Sequence, residues 1–139
     1  MIRAVEVSDV LAVVALDLDA KADDLTALLQ RPAFVGLVHE INGQITGYII
    51  GWSINGEGEV IQITVAPPYR RQKIGQQLLN VFCQEFGATR CHLDVRADNH
   101  GALALYQQAG FTEYGRRANY YKQADGAKID AILMQRIFA

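Results

Sequence analysis

The chain has 139 residues, thirteen Lys and Arg against fifteen Asp and Glu, a formal charge of −2, and half of its residues are hydrophobic. That length suits one domain whose core needs no metal or disulfide staple, and the composition excludes a disordered or collagen-like chain. A charge this close to neutral argues against nucleic-acid binding, which needs a basic surface to displace counterions; it fits a cationic substrate better than a polyanionic one.

In chain order, residues 2–5 read as a short strand. Ser8 and Asp9 are N-cap types for a helix over 10–16. An acidic connector, 17–24, leads to a second short helix over 23–30, which Pro32 stops. The period then changes. Residues 33–41 and 44–54 read as strands joined by Asn42-Gly43, a strong hairpin signal. A second turn at Asn55-Gly56 precedes a strand ending at Val65, where Ile61, Ile63 and Val65 alternate with Gln62 and Thr64 as one buried face requires. After a polar loop over 66–73, Leu78, Leu79, Phe82 and Phe86 give a helix over 74–86 its apolar stripe. A strand over 91–95 follows, then a helix over 101–109 capped by Asp98 or Asn99 and stopped by Gly110. Strands over 111–117 and 129–137 close the chain, with a long polar loop, 118–128, between them. The order β-α-α-β-β-β-α-β-α-β-β predicts an α/β (α+β) domain, a mixed sheet flanked by helices. With no internal repeat or linker, residues 1–139 read as one domain.

Cys83 and Cys91 are the only cysteines, too few for a disulfide framework, so two reduced, buried thiols in a cytosolic protein are expected. His39, His92 and His100 form no ligand pattern, and no metal is expected. No uncharged apolar stretch is long enough for a bilayer, so a soluble protein without membrane partners is expected.

The stretch richest in chemistry is Val65-Ala-Pro-Pro-Tyr-Arg-Arg-Gln-Lys-Ile-Gly75. A strand ends, two prolines force a turn, and a basic loop opens onto an amphipathic helix. Unpaired N–H groups at the helix start, with the positive end of its dipole, make an anion site. Arg70, Arg71 and Lys73 add charge there, and Gly75 allows close approach to the backbone. Cations at a helix N-terminus oppose the dipole, so a merely solvated basic turn is physically awkward. The spacing suits a diphosphate. Two other phosphate loops are excluded, because neither G-x-x-x-x-G-K-[ST] nor G-x-G-x-x-G after a strand occurs. Gly43, Gly47 and Gly51 read as turn and sheet glycines.

Tyr69 to Gly75 resembles the acetyl-CoA loop, [QR]-x-x-G-x-[GA], of the Gcn5-related N-acetyltransferase (GNAT) superfamily. Arg70 stands at its first position, Gly75 at its last, and Lys73 replaces the first glycine. The likeness continues through Leu93-Asp-Val-Arg-Ala-Asp-Asn99, Ala104-Leu-Tyr106, Gly110-Phe111, Arg117, Asn119-Tyr-Tyr121, Asp125-Gly126 and Asp130-Ala131. Together these resemble the bacterial ribosomal-protein-alanine N-acetyltransferases, closely over about residues 59–134 and poorly before residue 33.

The resemblance implies that the backbone of Ile63, Thr64 and Val65 bonds the pantetheine arm. It implies that the backbone of Arg71, Gln72, Lys73, Ile74, Gly75 and Gln76 cradles the diphosphate, and that Asn99 contacts the co-substrate. Tyr106 falls at the tyrosine that serves the departing CoA sulfur, and Asp94 at the general base, where the family has glutamate. Asn119, Tyr120 and Tyr121 would shape the acceptor groove. Each has a plainer reading: Asp94 as a strand carboxylate paired with Arg96 or Arg90, Tyr106 as a packed helix tyrosine, and the loop aromatics as cover for the sheet edge. The implied function is acetyl transfer from acetyl-CoA to a primary amine, with a protein N-terminus as acceptor. Transfer would be direct, because no Cys or Ser is placed as an acyl carrier. A small amine (amino acid, polyamine or antibiotic) is the alternative acceptor, and an acyl-CoA-binding sensor the alternative from another class. A monomer or homodimer fits equally.

Overall fold

The computed structural model describes residues 1–16 and 21–138. One seven-stranded sheet runs through it in the order β1-β2-β3-β4-β5-β7-β6. The strands are β1 (Ile2–Ala4), β2 (Phe34–Ile41), β3 (Gln44–Ile54), β4 (Glu57–Val65), β5 (Arg90–Arg96), β6 (Thr112–Lys122) and β7 (Lys128–Ile137). The helices are α1 (Val10–Val14), α2 (Ala22–Leu28), α3 (Ile74–Phe86) and α4 (His100–Gln108). The mixed α/β architecture expected from the sequence is present.

Two apolar clusters hold the layers together. Leu78, Leu79, Phe82 and Cys83 of α3 pack with Ile49, Leu93 and Met134 of the sheet, and Tyr106 and Phe111 join them. Val10 and Val13 of α1 and Leu25 of α2 pack on Val38 and Tyr48. Both hairpin turns take left-handed pairs, Asn42 and Gly43 at φ 51° and 79°, and Asn55 and Gly56 at 52° and 80°, the geometry that matches strand twist. Gly51 is required by packing, since a Cβ there would run into the Glu59 carbonyl oxygen and the Phe82 ring.

Four sequence expectations are corrected. The carboxylate of Asp9 does not cap α1. It accepts two hydrogen bonds from Arg3, at 2.7 and 2.9 Å, and one from the Glu6 N–H at 2.8 Å, and a 3-10 turn at Val7–Asp9 precedes the helix. Of the acidic connector, residues 17–20 lie outside the described residues, while Asp23 and Asp24 fall in the first turn of α2. Ile61 is not buried but half exposed, because β4 bulges there: Ile50 pairs with Gln62 and Gly51 with Val60. The long polar loop over 118–128 shrinks to a short turn, since β6 continues to Lys122 and β7 begins at Lys128.

The bulge at Ile61 marks where the sheet opens. β4 and β5 run parallel and pair only over residues 57–60 with 90–93. Beyond that point β4 stays on β3 and β5 stays on β7, so the two facing edges have no strand partner. A bulge bends its strand and increases twist, which turns β4 away from β5. A wedge results.

Candidate active site

The wedge is the mouth of a cleft of about 920 Å³. Ile63, Thr64 and Val65 line it from β4, and Asp94 and Arg96 from β5. Asn99, Leu105 and Tyr106 line it from the α4 side, and Tyr121 from β6. Arg70, Arg71, Lys73, Ile74, Gly75 and Gln76 close one end. Gln72, Asn119 and Tyr120, candidates from the sequence, do not line it.

The loop is shaped by two left-handed residues, Arg71 and Lys73, both at φ 64°. Such residues curl successive N–H groups inward and make anion-binding hollows. Lys73 is the N-cap of α3, and the first backbone N–H bonded to it is that of Gln77, at 3.0 Å from the Lys73 oxygen. The N–H groups of Ile74, Gly75 and Gln76 therefore stand at the open helix end. Arg70 Nε donates to the Val65 oxygen at 3.0 Å, tying the loop to the strand end. A Cβ on Gly75 would stand 3.4 Å from Leu105 and 3.6 Å from Val65, so a larger side chain there fills the junction of β4, α3 and α4.

Alternation along β5 settles where Asp94 points. Leu93 and Val95 are buried in the core, and Asp94 is exposed on the opposite face, within the cleft. The pairings that the sequence allowed are taken elsewhere. Arg96 forks onto Asp98, both bonds at 3.0 Å, and Arg90 bonds Gln135 at 2.7 Å and Glu57 at 3.2 Å. Among the described residues Asp94 has no ion-pair partner. It lies close enough to Tyr121 to raise that phenol's proton affinity, after burial, which is the larger cause.

Tyr106 is buried, 7% exposed, with its ring beside Phe111 at 6.0 Å between centroids. Burial, with a smaller contribution from Tyr121, pushes its hydroxyl up to about 12. Asn99 caps α4, its side-chain oxygen accepting from the Ala102 N–H at 3.1 Å. This fixes the helix that carries Tyr106. Lining residues that sequence reading missed include Ile61, Gln62, Arg96 and Leu105. Leu105 adjoins Tyr106, and Arg96 shares a strand face with Asp94; nothing in the sequence marked the bulge at Ile61 and Gln62. No group of three or more His, Cys, Asp or Glu side chains is gathered for a metal among the described residues.

The profile of the acetyltransferase (GNAT) family matches residues 10–111. The chain belongs to the GNAT family. Among curated relatives, the ribosomal protein bS18-alanine N-acetyltransferase of Escherichia coli K12 is 38% identical over 96 residues, 67% of this chain and 64% of that protein. The catalytic subunit of the N-terminal acetyltransferase B complex of Arabidopsis thaliana is 29% identical over 90% of this chain and 80% of its own. The crystal structure of the Escherichia coli ribosomal-protein-S18-alanine N-acetyltransferase superposes with a TM-score of 0.89 at 28% identity, covering 100% of this chain and 94% of that one. The open β4–β5 pair and the basic loop of this GNAT protein are thus found in a chain whose whole length follows that fold. No described helix is long and apolar enough to cross a membrane.

Proposed function

We propose that this protein transfers acetyl from acetyl-CoA to the N-terminal α-amine of a protein, directly, with both substrates bound. The observation that carries the reading is the wedge between β4 and β5, which opens into a cleft lined by the open N-terminus of α3, Tyr106 and Asp94. The residues fit the co-substrate: an extended arm suits the unpaired backbone edge of Ile63, Thr64 and Val65, and a diphosphate suits the N–H groups at Ile74 to Gln76. Acetyl-CoA supplies a thioester to the amine. The similarity to enzymes that acetylate protein N-termini supports an α-amine as acceptor.

Asp94 and Tyr106 then divide the proton work. An α-ammonium has an ordinary pKa near 8, so about a tenth is already neutral at pH 7, whereas a lysine near 10.4 is far less so. An unpaired carboxylate beside the cleft attracts the ammonium and takes its proton, through one water given the short aspartate side chain. Tyr106 works differently. With its hydroxyl near 12 and a thiol ordinarily near 8.5, full transfer to the departing sulfur is uphill by about 5 kcal/mol. Tyr106 therefore keeps its proton and donates a hydrogen bond to the sulfur as charge develops.

The test offers acetyl-CoA with two peptides of one sequence, one with a free N-terminus and one already acetylated there but carrying an internal lysine. Mass spectrometry should find the free α-amine acetylated faster. Preferential lysine labelling, or turnover of small amines alone, would overturn the reading.

A further inference from the structure

Where β6 leaves regular pairing, three of its residues oppose one. Arg117 pairs with Ala131 and Tyr121 with Ile129, so Ala118, Asn119 and Tyr120 face only Asp130. An unbroken ladder would pair Asn119 with Ile129. The two extra residues keep the face and advance the chain, setting a phenol where an amide would stand. Asn119 takes φ 55° to make the bend, a conformation that asparagine tolerates better than most residues.

Asp130 holds this bend from both sides. Its side-chain oxygen accepts from the Asn119 N–H at 2.9 Å, and its backbone oxygen accepts from the Ala97 N–H, also at 2.9 Å. One residue thus ties the bulge to the end of β5, just before the Asn99 cap of α4. The result is visible at Tyr121. Its ring lines the cleft with Asp94 and Tyr106, lies under the Arg96 guanidinium at 5.8 Å, and meets Tyr120 edge-on at 5.1 Å.

We propose that Asp130 is a positioning residue: by pinning the bulge over residues 118–120 it sets the Tyr121 phenol beside Asp94, where Tyr121 governs acceptor binding. This rests on the cleft being the acetyl-transfer site. Asp130 touches neither substrate and acts through Tyr121 alone.

The experiment compares Asp130→Ala, which removes the acceptor oxygen, with Asp130→Asn, which keeps one. Asp130→Ala should raise the KM for the acceptor peptide about tenfold or more, with kcat and the acetyl-CoA KM within about threefold. Asp130→Asn should restore the acceptor KM to within about threefold of wild type, and Asp130→Ala should add less than about twofold in a Tyr121→Ala background. An unchanged acceptor KM, no rescue by asparagine, or an acetyl-CoA KM that moves as far would overturn the proposal. A second readout needs no turnover: ring-carbon NMR of Tyr121 should titrate above ordinary tyrosine in wild type and Asp130→Asn, and fall toward it in Asp130→Ala. If no amine is acetylated by wild type, the functional reading fails, and this titration still decides whether Asp130 sets the phenol. Tyr121 titrating alike in all three proteins would refute it.

Discussion

A hydroxyl that loses its proton only near pH 12 is a hydrogen-bond donor throughout the physiological range, and Tyr106 is such a group. If the bond to sulfur forms mainly in the transition state, Tyr106→Phe should lower kcat by about ten- to a thousand-fold with acetyl-CoA affinity changed less than about threefold. Wild-type kcat in that variant would make the hydroxyl structural. The same burial has a consequence for stability. The folded pKa lies above the unfolded value near 10, so the contribution is complete below pH 10 and is lost as pH rises toward 12. By pH 11 wild type should have lost about 1.4 kcal/mol relative to Tyr106→Phe, read from urea unfolding at pH 9 and 11. At this scale the sequence was informative where alternation was strict. Asp94 sits between Leu93 and Val95, and the period of two puts it in the cleft. It misled at Asn119 and Tyr120, whose direction depends on a bulge pinned from a distant strand.

The loop before α3 shows what an element demands of its residues. Lys73 adopts φ 64° at the position where the family's loop has glycine, and a Cβ in that region costs about 1–2 kcal/mol. Glycine removes the clash but frees the unfolded chain by about 0.4–1 kcal/mol. Lys73→Gly should therefore stabilise the protein by up to about 1 kcal/mol in urea, while Lys73→Ala, which keeps the Cβ, should not. A loss above about 1 kcal/mol for Lys73→Gly would contradict the left-handed cap. Elements with local signals were legible in full: β3 between two Asn-Gly turns, and α3 with its apolar stripe, have the bounds that the sequence predicts. The β6–β7 hairpin was not. β6 is an edge strand exposed along nearly its whole length, so no alternation distinguishes it from a polar loop. The first helix was found where the sequence puts it, but its cap was misread: Asp9 has the chemistry of a cap, while Arg3 and the Glu6 N–H take its carboxylate.

For the whole molecule, the proposed activity depends on one departure from regular sheet. A continuous β4–β5 ladder would satisfy its own backbone and leave nothing for a ligand; pairing that stops after Val60 and Leu93 leaves two facing edges and a helix N-terminus between them. In the proposed function this wedge holds the arm of acetyl-CoA while the loop over residues 70–76 holds its diphosphate. Titration calorimetry with CoA and with pantetheine, which lacks the diphosphate, separates the two contributions. CoA should bind at least about tenfold tighter than pantetheine, a margin of about 1.4 kcal/mol, and Gly75→Val should weaken CoA binding more than Arg70→Ala does, because backbone approach matters more there than one exposed charge. Equal affinities for CoA and pantetheine would rule out a diphosphate site at this loop.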